Sequence, residues 1–82
     1  MVLSRGKTVT LTGIVIPADW NDHQEVVAAA LATADEKEYR IAVNKNGKEL
    51  LDVLQRQIEA TGVLKRDEKG RNVITIRRYI IK

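Results

Sequence analysis

The chain has no cysteine and no phenylalanine, and only one proline, one histidine and one tryptophan among its 82 residues. Without cysteine, structural disulfides, thiolate catalysis and cysteine-ligated zinc are excluded. The longest apolar run, Val26 to Ala32, covers seven residues, against the roughly twenty that a membrane-spanning helix needs. No signal-peptide pattern is present, and the expectation is a chain without membrane contact and of undetermined compartment. One tryptophan and two tyrosines supply few rings on which nucleic-acid bases can stack. No glycine-rich phosphate loop occurs, since Asn46-Gly47-Lys48 lacks both the preceding glycine and the following hydroxyl residue. No cofactor is therefore expected.

What is plentiful is β-branched: seventeen valines and isoleucines and six threonines stand against seven leucines, a supply suited to a pleated surface. A chain this short has to place nearly all its apolar side chains in one core, so a single domain over residues 1–82 is expected. The net charge is +3, unevenly spread. Residues 1–54 hold six basic and eight acidic side chains, residues 55–82 eight basic and three acidic. The carboxyl-terminal third thus carries the positive field.

Lys7 to Ile16 alternates with period two, placing Val9, Leu11, Gly13 and Val15 on one face and threonines on the other, which predicts a half-buried strand closed by Pro17. A polar loop to Gln24 follows. Gln24 to Ala34 satisfies two templates. As a helix it has an Asp22/Glu25 capping box and alanines in its favour. As a strand it sets Val27, Ala29 and Leu31 opposite Val26, Ala28, Ala30 and Ala32, and the charged turn Asp35-Glu36-Lys37 before the alternating Tyr39 to Val43 predicts a hairpin. The strand is preferred; helix over residues 22–38 would give an α+β domain instead. Asn46 and Glu49 predict a capped helix from about Lys48 to Leu54, with Leu50, Leu51 and Leu54 as its buried stripe. Arg56 to Leu64 and Asn72 to Ile81 read as two further strands around an Asp67-Glu68-Lys69-Gly70 turn, with Gly70 at positive φ. Arg77-Arg78 breaks the inward period of the last strand and predicts a bulge. Tyr39 and Tyr79 fall in phase with the core, their hydroxyls at the rim.

Val9-Thr10-Leu11-Thr12-Gly13-Ile14-Val15 is echoed by Ile58-Glu59-Ala60-Thr61-Gly62-Val63-Leu64, with Thr-Gly in the same position. Glycine inside two strands suggests sharp bends or close backbone approach, as in a small closed barrel. These segments, with Gly47 to Leu54 between them and Gly70 and Ile74-Thr75-Ile76 after them, resemble the OB-fold. The predicted architecture is mostly β with one short helix, a five-stranded Greek-key barrel in the order β1-β2-β3-α-β4-β5. The chain looks like the small bacterial OB-fold proteins similar to the tRNA-anticodon-binding type. The resemblance implies a ligand on the face of the second and third strands, between the loops 17–24 and 65–71.

On that basis Trp20, Arg40, Lys65, Arg66, Lys69 and Arg71 are the candidate nucleic-acid-binding residues: cations to position phosphates, Trp20 to offer the single stack or to serve as a lid on the barrel end. The outward row Ala28, Ala30 and Ala32 instead suits close approach of a protein partner or a second copy of the chain. His23 with Asp19, Asp22 and Glu25 has metal-ligand chemistry but no recognised spacing. No nucleophile has an activating partner in the sequence, and a non-enzyme is expected.

Overall fold

The computed structural model describes residues 6–82. Five strands, β1 (Lys7–Trp20), β2 (Val26–Thr33), β3 (Glu38–Ile41), β4 (Gln57–Arg66) and β5 (Asn72–Ile81), form a closed barrel in the order β1-β2-β3-β5-β4. Only β3 and β5 run parallel; the other neighbours are antiparallel. A short helix, α1 (Lys45–Glu49), continues as a 3-10 turn through Val53 between β3 and β4. This is the OB-fold arrangement that the sequence predicts.

Residues 26–33 are a strand, so the helical alternative is ruled out. Every residue from Gly13 to Pro17 pairs with β2, and Ala30 to Ala32 pair with β3 on the other side. Two-sided pairing outweighs the helix propensity of alanine, which is worth only a few tenths of a kcal/mol per residue. The core is closed by Val15, Leu31, Leu50, Ile58, Ile74 and Ile76, all fully buried, each contributing about 1.5–3 kcal/mol of burial. Tyr39 is buried with them, and Tyr79 packs against the cluster with its hydroxyl donating to Glu49 at the rim.

The two Thr-Gly segments turn out to be partners. Val9 lies opposite Gly62 and Gly13 opposite Ile58, so the echo is arranged about the central pair Leu11 and Ala60 by a local twofold. A Cβ on Gly13 would come within 2.5 Å of the Ala32 carbonyl oxygen, and one on Gly62 would strike the Thr75 carbonyl. Both glycines are required by close backbone approach, as the barrel curls. The predicted bulge in β5 is present: Thr61 pairs with Arg78 and Gly62 with Ile76, leaving Arg77 as the extra residue.

Two boundaries differ from the sequence reading. Pro17 does not end β1; it pairs with Ala29, and register shifts on either side of Asp19 carry the strand on to Trp20. A bulge absorbs the missing N–H. The helix starts earlier than Lys48, and its N-cap is Asn44, whose Oδ1 accepts from the Gly47 amide at 2.7 Å. Asn46 is unavailable as a cap because its carboxamide donates to the carbonyls of Ile76 and Arg77.

Candidate nucleic-acid interface

Outward residues follow from the register. Arg40 lies between the buried Tyr39 and Ile41 and pairs with Ala30 on one side and Val73 on the other. Val73 in turn pairs with Lys65. Ile16, Ala30, Arg40, Val73 and Lys65 therefore form one row across β1, β2, β3, β5 and β4 on the outside of the barrel. Two of the expected cations, distant in sequence, meet here with a single apolar residue between them.

Arg66 ends β4 opposite Asn72, and Lys69 sits in the exposed hairpin tip. Among the described residues no ion pair engages Arg40, Lys65, Arg66 or Lys69. Arg71 differs. Its Nε donates to Asp67 Oδ2 at 2.7 Å, while Asp67 Oδ1 accepts the amides of Lys69 and Arg71 at 2.9 Å. These amides, above all that of Arg71, hold the Asp67 carboxyl below its ordinary value of 3.8. Arg71 thus braces the hairpin that presents the other cations.

Trp20 is separate from this group. It pairs with Val26, four positions along β2 from Ala30, a displacement of about 13 Å. It is 53% exposed and lies outside the core cluster, so it is not a lid on the barrel. The loop beyond it is shaped by Asn21, whose Oδ1 accepts the amides of His23 and Glu25. Among the described residues no three of His, Asp and Glu come together, so the His23 group forms no ligand cluster.

The sequence reading missed the flank on β1. Ile14 pairs with Ala32 and Ile16 with Ala30, so both isoleucines stand on the outer face beside the alanine row, with Ile14 44% exposed. Their phase was visible, since they alternate with the inward Gly13 and Val15; the strand that covers them was not. Arg78 lies on another part of the outer surface, in a row with Thr10 and Thr61, whose hydroxyls are 3.0 Å apart. No known family model matches the chain, and no curated protein matches it in sequence.

Proposed function

We propose that the chain is a non-enzymatic OB-type binding module that holds single-stranded nucleic acid weakly and with little sequence preference. The observation that carries this reading is the shared row of Arg40 and Lys65, continued by Arg66 and Lys69 at the hairpin, all without ion-pair partners among the described residues. Cations tracking one line across a sheet suit a phosphate backbone, and their small number sets affinity in the micromolar range at low salt. Trp20 offers one stacking surface at the far end of the face. The resemblance of its strand and helix pattern to the tRNA-anticodon-binding OB type makes RNA the first polymer to try.

The test is an NMR or anisotropy titration with short single-stranded oligonucleotides of differing sequence, at low and at physiological salt. Shifts should centre on Arg40, Lys65, Arg66 and Lys69. Lys65→Ala should weaken binding equally for all sequences and reduce the salt slope by about 0.7. Absence of binding at low salt would dismiss the reading. A second reading, a protein-interaction module, is supported by a different observation: the outer face of β1 and β2 carries Ile14, Ile16, Ala28 and Ala32 around a covered Ala30, an apolar surface that offers phosphates nothing.

A further inference from the structure

The outer face of the first three strands is self-complementary. Two adjacent rows are fixed by the register: Ile14, Ala32 and Glu38 in one, Ile16, Ala30 and Arg40 in the next. None of the six belongs to the core cluster, which takes the intervening Val15, Leu31 and Tyr39, and Ala30 is covered by its neighbours, at 2% exposure. Each row reads apolar, small, charged across β1, β2 and β3. The charges at the β3 end are opposite in sign, and neither has an ion-pair partner among the described residues.

From this pattern we infer that the occupant of this face is a second copy of the chain, docked face to face about a twofold axis that lies between the two faces, runs across the strands and passes over Leu31. Such an axis preserves the strand and exchanges the rows. Ile14 meets the partner's Ile16, Ala32 meets the partner's Ala30, and Glu38 meets the partner's Arg40. The two symmetry-related ion pairs lie at one side of an apolar contact whose alanines let the sheets approach closely. A twofold contact of this kind requires one patch to complement itself, and Glu38 and Arg40, two residues apart on one face of β3, meet that requirement. The inference rests on the protein-interaction reading of this face and is independent of nucleic-acid binding, except that dimerisation would withdraw Arg40 from the cationic row.

Three strands and a few rows span about 15 by 20 Å, less than the roughly 800 Å² per partner of a standard interface. The dimer is accordingly weak and transient.

The test is sedimentation velocity together with NMR rotational correlation times, from micromolar to about millimolar protein and without nucleic acid. The wild type should pass from monomer to dimer, with the transition moved to higher concentration by salt. Glu38→Arg and Arg40→Glu each set like charges opposite one another and should raise the dissociation constant at least about tenfold. The double variant E38R/R40E restores opposite pairing and should return close to wild type, which also excludes misfolding as the cause of the single-variant loss. Ile14→Glu should abolish the dimer. A wild type that stays monomeric at millimolar concentration overturns self-pairing while leaving the face open to a different protein. A dimer indifferent to the three single variants, or a double variant that fails to recover, also overturns it.

Discussion

The side-chain amide of Asn46 donates to the carbonyl of Arg77 at 3.0 Å. Arg77 is the residue that the bulge in β5 leaves without a partner on β4, and the same amide reaches the Ile76 carbonyl at 2.9 Å. Asn44 adds a second bond to the Ile76 carbonyl while its oxygen caps α1. A bulge leaves ladder groups unpaired that have to be satisfied elsewhere. Here the first turn of the helix satisfies them, tying the helix to the strand that closes the barrel.

Asn46→Asp keeps the shape of the side chain and removes the donor. It should lower stability by about 0.5–1.5 kcal/mol, since the Arg77 carbonyl loses its protein partner while Ile76 keeps the bond from Asn44, a fall of several degrees in Tm for a domain of this size. Urea unfolding measures it; a change under a few tenths of a kcal/mol would mean the clamp contributes nothing.

Gly13→Ala and Gly62→Ala each drive a methyl into a backbone carbonyl of the neighbouring strand. A backbone cannot yield as a side-chain end does, so each should cost about 1–3 kcal/mol. Ala60→Gly, also buried in β4, would separate this effect from a general sensitivity of the strand: it removes a methyl and should leave the carbonyl contacts unchanged, visible in unshifted amide resonances of Ala32 and Thr75.

Three loops share one turn. In each, the first residue's amide donates to the carbonyl four residues on, and the fourth residue's amide donates back to the first: Asn21 to Glu25, Thr33 to Lys37, Asp67 to Arg71. The fourth residue has positive φ in all three, Gln24 at 63°, Glu36 at 65° and Gly70 at 77°. Glutamine and glutamate are strained there, glycine is not. Glu36→Gly and Gln24→Gly should therefore stabilise the fold by about 0.5–1 kcal/mol each, and Gly70→Ala should destabilise it by a similar amount. Thermal unfolding gives the sign directly.

Asp67 carries a pH dependence. Its folded carboxyl titrates below the ordinary 3.8 because amides and Arg71 favour the charged form, so the folded state binds its proton less readily than the unfolded chain. The contribution is complete above about pH 4 and is lost as pH falls through the folded value. Asp67→Asn should flatten the acid limb of the stability curve and raise the exchange rates of the Lys69 and Arg71 amides. An unchanged acid limb would show that the hairpin brace is not coupled to folding.

Much of the architecture follows from local pattern. Period two in Lys7–Ile16 and Arg56–Leu64, the broken period at Arg77-Arg78 and the glycine at position 70 each have one physical solution, and the structure contains all of them. The turn at Glu36 and the loop before Gln24 were legible, but their positive φ was hidden, because neither residue type signals it; only their hydrogen-bonded neighbours impose it. The cap moved from Asn46 to Asn44 for a similar reason, since Asn46 answers to carbonyls thirty residues away.

For the candidate site, the sequence alone determined which side chains are cationic, which are apolar and which parity each takes along its strand, because charge and alternation are local properties. Only the tertiary structure decided which of them stand together. Strand register sets Arg40 beside Val73 and Lys65, sets Ile14 and Ile16 beside the alanines, turns Arg71 onto Asp67 and leaves Trp20 apart. Register is settled by core packing and barrel closure between segments far apart in the chain, and a one-residue slip would reverse every face.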